Sequence, residues 1–116
     1  MQLSRNFERA EFACRCGCGF DGVSMRLVSA LQQLRDGLGK PVRVTSACRC
    51  AAHNKRCGGA AKSTHLSGRA ADVKVAGLTP ADIAREAEEI PAFRDGGMGR
   101  YKTFLHLDVR GHRARW

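Results

Sequence analysis

The chain has 116 residues, of which 43% are hydrophobic and 27% are charged, the composition of an ordinary globular protein. This length predicts a single domain over residues 1–116, and no apolar run reaches the roughly 18 residues of a membrane-spanning helix. The formal net charge of +9 would attract polyanions. However, five Phe, one Tyr and one Trp offer few stacking platforms for bases, so nucleic acid is not expected as a partner.

The first part of the chain is predicted to hold one long helix followed by one strand. Residues 1–23 lack periodicity and carry the first cysteine cluster. A helix is predicted between Ser24 as its N-cap and Gly39, because leucine recurs at spacings of three and four residues. The leucines are Leu27, Leu31, Leu34 and Leu38. Alternating β-branched residues then predict a strand over residues 42–45.

The middle of the chain is predicted to be a loop, a strand and a second helix. Residues 46–69 are polar and rich in glycine, and a loop of that length within a compact domain is usually functional or disordered. The residues that the loop carries favour a functional one. A strand is predicted over residues 70–75 and a helix over residues 79–90, which Pro91 ends.

The last part of the chain is predicted to hold the third strand. Residues 96–99, Gly-Gly-Met-Gly, indicate a turn or a close approach of two backbones. Residues 104–110 predict a strand, and residues 112–116 form a basic tail that ends in an aromatic residue. The order of elements predicts an α+β fold, with a small antiparallel sheet packed with two or three helices.

The segment STHLSGRAAD, residues 63–72, carries the most informative chemistry. His65 lies at the end of the predicted loop and Asp72 in the predicted strand, and Gly68 lets the chain turn back between them. His106 lies in an apolar strand, where an unpartnered histidine would be costly to bury. Two imidazoles and a carboxylate suit Zn²⁺, and three protein ligands leave a fourth position for water. We therefore predict a catalytic zinc site at His65, Asp72 and His106.

Several stretches of the chain together resemble the M15 metallopeptidases. They are SACR at 46–49, Asn54, the glycine pair at 58–59, STHLSGRAAD at 63–72 and FLHLD at 104–108. The resemblance covers nearly the whole chain and is nearest to the compact phage and prophage branch. The family includes zinc D-Ala-D-Ala carboxypeptidases and phage endolysins that cut L-alanyl-D-glutamate bonds. The resemblance implies a D-Ala-D-Ala carboxypeptidase-like fold with the zinc site at the sheet.

The resemblance also implies roles for individual residues. The three predicted zinc ligands match the three metal ligands of the family. Arg49 matches an arginine that helps to hold a substrate carboxylate or carbonyl, a task that suits a planar guanidinium. Ser63 is expected to bind substrate or to hydrogen-bond near the metal, with a turn cap as the alternative. Asn54 is expected to tie down the loop.

The sequence departs from the family pattern at the general base. Many relatives carry a Glu, Asp or His two or three residues before the last metal ligand, where this chain has Phe104 and Thr103. The nearest carboxylate is Asp108, which shares a strand face with His106. We predict Asp108 as the catalytic base, with orientation of a metal ligand or a salt bridge to Arg110 as alternatives. Tyr101 and His112 are weaker candidates.

The six cysteines form two clusters. The first comprises Cys14, Cys16 and Cys18, and the second comprises Cys48, Cys50 and Cys57. The C-x-C spacing departs from the C-x-x-C of common structural zinc sites, and a bridge between residues i and i+2 would be strained. Three interpretations stay open, namely disulfides between the clusters, free thiols and a second metal site. A bridge between the clusters would hold residues 1–23, the N-terminal arm, beside the substrate cleft.

The function predicted from these observations is that of a zinc-dependent peptidase acting on the stem peptides of bacterial peptidoglycan. Such a protein would be a phage or prophage lysin or part of a virion, and we expect a monomer. The first residues lack a secretory pattern, so we expect synthesis in the cytoplasm and action at the cell wall after release. One alternative is a zinc-containing module that binds the wall or a partner without cleavage. A lower one is a nucleic-acid-binding domain with a structural zinc.

Overall fold

The computed structural model describes all residues from Met1 to Trp116. Four α-helices are present: α1 (Met25–Leu38), α2 (Ala51–Arg56), α3 (Pro80–Ala87) and α4 (Pro91–Arg94). Two 3-10 helices span Arg9–Phe12 and Thr64–Ser67. Seven strands are present: β1 (Gln2–Ser4), β2 (Phe7–Glu8), β3 (Arg43–Ser46), β4 (Ala70–Lys74), β5 (Gly97–Arg100), β6 (Leu105–Asp108) and β7 (Ala114–Arg115).

The main sheet has five strands in the order β3-β4-β6-β5-β7. Its neighbours pair antiparallel except for β5 and β7, which are parallel. Strands β1 and β2 form a separate antiparallel pair at the N-terminus. This arrangement confirms the predicted α+β class with a small, largely antiparallel sheet, although four α-helices are present where the sequence predicts two or three. No helix has the length and apolar character needed to cross a membrane.

Helix α1 forms where the leucine spacing predicts it. Its apolar face is buried, and Gly39 ends it in the left-handed conformation with φ 64°, which glycine adopts without strain. The Gly39 N–H donates to the carbonyl of Arg35 at 3.0 Å. Helix α1 contacts α3, α4 and β1, and its leucines Leu27, Leu31 and Leu34 are buried in the core.

The strands of the sheet alternate between the core and the opposite face. Val73 on β4 and Leu105 and Leu107 on β6 belong to the hydrophobic core. Asp72 and His106, which lie between such positions, therefore project from the other face. The core and the polar site thus lie on opposite sides of β4 and β6.

Four local expectations differ from the structure. The long loop at 46–69 contains helix α2 and the 3-10 helix Thr64–Ser67. The predicted helix at 79–90 ends at Ala87, and Pro91 begins α4 because proline fits the first turn of a helix. The basic tail contributes β7 to the sheet.

The fourth difference concerns the glycines at 96–99, which form β5 rather than a turn. A Cβ at Gly97 would collide with the Asp108 carboxylate, and a Cβ at Gly99 would collide with the Trp116 indole. A Cβ at Gly96, just before the strand, would collide with the backbone carbonyls of Asp108 and Ala92, so the alternative expectation of a close approach of backbones is confirmed there. Short-range patterns missed the strand because its glycines serve contacts with distant parts of the chain.

Candidate metal centre

Asp72 and His106 are brought together by the register of two neighbouring strands. Asp72 on β4 pairs directly with His106 on β6, so both side chains project from the same face of the sheet. His106 Nδ1 lies 3.2 Å from Asp72 Oδ1. Both residues are buried, at 6% and 5% exposure, so the polar pair is shielded from bulk solvent.

His65 reaches the same point from the 3-10 helix Thr64–Ser67. The Ser63 hydroxyl accepts the His65 backbone N–H at 3.2 Å, and Gly68 ends the helix in the left-handed conformation with φ 69°. No larger residue fits at Gly68, because a Cβ there would collide with the carbonyl of Gly22. This turn places His65 Nε2 at 3.2 Å from Asp72 Oδ1.

The three side chains form a donor set that fits a zinc ion. The ligand atoms of His65, Asp72 and His106 all lie within 4.8 Å of one another. The remaining ring nitrogens are committed elsewhere, because His65 Nδ1 donates to the carbonyl of Ala47 at 2.6 Å and His106 Nε2 donates to Asp108 at 2.8 Å. Such outer hydrogen bonds fix the tautomer and leave the other nitrogen free to bind metal. Two nitrogens and one oxygen are the ligands of many catalytic zinc sites.

Arg49 holds the second oxygen of Asp72. Its guanidinium Nη2 lies 3.1 Å from Asp72 Oδ2, while Nε donates to the Ser46 hydroxyl at 3.1 Å. Burial alone would raise the pKa of Asp72, but the contacts with the His106 and His65 imidazoles outweigh burial and lower this pKa to about 2. Asp72 is therefore an anion at any ordinary pH, as a metal ligand must be.

Asp108 lies behind His106 and not in the cleft. It is completely buried, and its Oδ2 accepts from His106 Nε2, from the Thr64 hydroxyl at 3.2 Å and from Arg110 Nη2 at 2.8 Å. Its Oδ1 accepts the backbone N–H groups of Gly97 at 2.9 Å and of Arg110 at 3.1 Å. Burial raises the pKa of Asp108, but these donors, His106 and Arg110 above all, lower it well below its usual range.

The hydrogen bond between Asp108 and His106 also affects the pKa of His106. Burial lowers the pKa of this imidazole, but the hydrogen bonds to Asp108 and Asp72 outweigh it, and the pKa of His106 is raised above its ordinary value. Protonation of His106 competes with a metal at Nδ1, because the metal needs the lone pair of that nitrogen. Asp108 thus controls both the orientation and the basicity of this ligand.

The donor set opens into a cleft of about 320 Å³. Its walls include Arg49, Ser63, Tyr101, Phe104 and Trp116 besides the three ligands. A larger depression of about 530 Å³, beside α3, contains none of the ligands. The smaller cleft is the relevant one because the ligand atoms face it.

Trp116 is a part of the site that the sequence did not reveal. Its ring lies 5.0 Å from the His106 ring, its Nε1 donates to the Tyr101 hydroxyl at 2.9 Å, and Arg110 stacks on it at 5.0 Å. Strand β7 carries it there by pairing with β5. The only sequence signal was the glycine at position 99, whose missing side chain makes room for the indole.

The other predicted residues are placed as follows. Ser63 lies in the cleft wall and also caps the turn before His65, so both alternatives for it describe its position. Asn54 is buried and its amide donates to the carbonyl of Ala60 at 2.9 Å, which ties down the loop. Tyr101 lines the cleft, whereas His112 is exposed and lies outside it.

Comparison with known protein families gives one match. The family model described as Peptidase M15 matches residues 5–108, which include all three predicted ligands. No curated protein matches the chain significantly. The chain therefore belongs to the M15 peptidase family. This membership supports a zinc peptidase of the M15 type, and the fold and donor set agree with it.

Proposed function

We propose that the protein is a zinc peptidase that hydrolyses peptide bonds in the stem peptides of bacterial peptidoglycan. The single observation that carries this proposal is the buried donor set of His65, Asp72 and His106 at the floor of an open cleft. A structural zinc site uses four protein ligands and is closed, whereas three ligands facing a cleft leave a position for water. When bound, zinc would lower the pKa of that water and polarise a substrate carbonyl.

The chain's own residues supply positioning and charge. Arg49 lines the cleft, and each nitrogen of its guanidinium has a partner, in Ser46, Asp72 and Asn54. The second hydrogens of Nη1 and Nη2 remain for a carboxylate or carbonyl of the substrate. Stem peptides are rich in such groups, and their D-Ala-D-Ala end carries a free carboxylate. An arginine at this place suits both a carboxypeptidase that recognises the terminal carboxylate and an L-Ala-D-Glu endopeptidase.

We assign Asp108 a positioning role for the proposed reaction. A general base must come within hydrogen-bond reach of the proton that it takes. Asp108 lies on the far side of the His106 ring from Nδ1, and both of its oxygens already accept hydrogen bonds. The prediction that Asp108 is the base stays open to test, but its surroundings favour the alternative, orientation of a metal ligand.

A non-catalytic module that binds wall peptides is the second candidate. Asp72 is the only carboxylate among the residues that line the cleft, and it belongs to the donor set. A site without a free carboxylate could hold zinc and a peptide without efficient cleavage. In either case we propose a monomer that meets its substrate at the cell wall, after release from a cell or as part of a virion.

The proposed function is tested by incubating the zinc-loaded protein with defined stem peptides and identifying the products by mass spectrometry. His65→Ala removes one ligand, and His112→Ala is the matched control because that histidine is exposed outside the cleft. We expect products with the unchanged protein and with His112→Ala, and none with His65→Ala. Retention of peptide without any product, with zinc present, would support the binding module and refute the peptidase.

A further inference from the structure

Four cysteine sulfurs lie together at a second site. One of the four cysteines directly follows Arg49 in the chain, and none of them belongs to the donor set of the candidate metal centre. The Sγ atoms of Cys14, Cys16, Cys18 and Cys50 all lie within 4.8 Å of one another. Cys16 Sγ lies 3.3 Å from Cys14 Sγ and 3.6 Å from Cys50 Sγ, and Cys14 and Cys50 are 3.9 Å apart. Three residues from the N-terminal arm thus meet one residue from the loop after β3.

These separations fit a tetrahedral metal site. With Zn–S bonds of about 2.3 Å, the sulfurs at the corners of a tetrahedron are about 3.8 Å apart. A disulfide instead needs its two sulfurs at about 2.05 Å, and a bridge would use the cysteines in pairs. The observed cluster has no close pair set apart from the others, because Cys14, Cys16 and Cys50 are mutual neighbours.

The backbone is shaped to bring alternate residues of the C-x-C-x-C run to one point. Gly17 and Gly19 have φ of 82° and 93°, conformations that favour glycine. The Cys14 N–H donates to the carbonyl of Phe20 at 2.8 Å, which closes the loop, and the Gly17 N–H donates to the carbonyl of Cys14 at 3.2 Å. The glycines therefore let three thiols of a short segment face inward together.

Backbone donors also point at the sulfurs. The Cys50 N–H lies 3.5 Å from Cys14 Sγ, and the His53 N–H lies 3.4 Å from Cys50 Sγ at the start of α2. Hydrogen bonds of this kind stabilise thiolates and orient metal ligands. The other two cysteines lie apart, since Cys48 is buried in the core and the Cys57 thiol contacts the His53 ring.

We propose that Cys14, Cys16, Cys18 and Cys50 form a second, structural zinc site. Four thiolates satisfy a tetrahedral zinc ion completely and leave no position for water, so the site is not catalytic. It joins the N-terminal arm to the residue that follows Arg49. The Cys48 N–H donates to the carbonyl of Phe12 at 3.0 Å, which links the main chains at the same junction. Zinc at the four thiols therefore fixes the N-terminal arm against the segment that follows β3 and carries Arg49.

Metal content measured on the intact protein tests the site. The chain is produced in a reducing cytoplasm, and zinc is counted by native mass spectrometry and by elemental analysis. We expect about two zinc ions per chain, falling to about one in Cys18→Ser and to about one in His65→Ala. Cys57→Ser is the matched control, because this thiol is exposed and outside the cluster, and it should keep both ions. The two losses are separate, so failure at the thiol site is distinguishable from failure of the proposed peptidase.

Cobalt and alkylation give readouts that do not depend on a folded variant. Cobalt bound to the unchanged protein should show thiolate-to-metal absorption, and zinc should protect four cysteines from alkylation until a chelator is added. Peptide mapping should show that the cysteines exposed by the chelator are Cys14, Cys16, Cys18 and Cys50, whereas Cys48 stays protected by its burial in the core. Rapid alkylation of all four with zinc present, disulfides in the freshly isolated protein, or the visible colour of an iron–sulfur cluster would each overturn the proposal.

Discussion

Replacing Asp108 by asparagine should weaken zinc binding at a site that Asp108 does not itself touch. The oxygen Oδ1 accepts two backbone N–H groups, from Gly97 and Arg110, so the amide in the Asp108→Asn protein keeps its carbonyl there. The NH₂ group then replaces Oδ2 and faces His106 Nε2 at about the present 2.8 Å. Since NH₂ only donates, Nε2 has to accept, and the imidazole proton moves to Nδ1, the nitrogen that faces Asp72.

The magnitude follows from these contacts. Loss of an outer hydrogen bond to a metal-bound histidine typically lowers metal affinity about 10- to 100-fold, which is about 1.4 to 2.8 kcal/mol. The substitution also removes the buried negative charge that pairs with the Arg110 guanidinium, although the Arg110 Nε–H can still donate to the remaining oxygen. Breaking such a pair costs about 3 kcal/mol of the free energy of unfolding. We therefore expect weaker zinc binding and lower stability together.

Zinc affinity is measured by competition with a chromophoric chelator, and stability by urea unfolding of the metal-free protein. The His65→Ala protein reports any zinc held elsewhere on the chain. Asp95→Asn is the matched control, because that carboxylate is exposed and pairs only with Arg94 at 3.7 Å. Unchanged zinc affinity in Asp108→Asn would refute the reasoning. If activity is lost at saturating zinc while affinity is unchanged, Asp108 is the general base after all.

Three further outcomes follow from the structure. Gly99→Val should displace the indole of Trp116 from His106, because even a Cβ at this position collides with that ring, and a red-shifted tryptophan emission would show it. Hydrogen bonds from Arg115, and then Arg113, lower the pKa of Glu88 although burial raises it. Their contribution to the free energy of unfolding is complete above the ordinary glutamate pKa and is lost as the pH falls below it. The free energy of unfolding of Glu88→Gln should therefore fall less on acidification than that of the unchanged protein, and an equal fall would contradict this. Leu31→Ala should cost about 2 to 5 kcal/mol in urea unfolding, since Leu31 is completely buried in the core, whereas a loss below about 1 kcal/mol would contradict its central place.

Local signals in the sequence predicted helix α1 and three strands, of which β4 and β6 carry two of the three candidate metal ligands. The leucine spacing gave helix α1, and short β-branched or apolar runs gave β3, β4 and β6. Such patterns work because the side-chain period of a helix or strand is set by its own backbone. The segment at 63–72 and the FLHLD run likewise pointed to His65, Asp72 and His106 as one group, which the structure brings together.

Contacts between distant segments decided the features that the sequence did not predict, strand β5 and the burial of Asp108. Strand β5 has few side chains to show a period, since its glycines leave room for Asp108 and Trp116. The burial of Asp108 behind His106 depends on Thr64, Gly97 and Arg110, which come from three different parts of the chain.

The sequence by itself determined the fold class, the family and the three candidate metal ligands, because short segments with their own periodicity or spacing carry the signal for each. Only the tertiary structure decided which partners those segments meet. It placed Asp108 beyond the ring of His106, carried Trp116 to the cleft, and joined Cys50 to three thiols of the N-terminal arm. The physical reason is that these contacts depend on strand register and loop closure, which packing of the whole chain sets and no local pattern encodes.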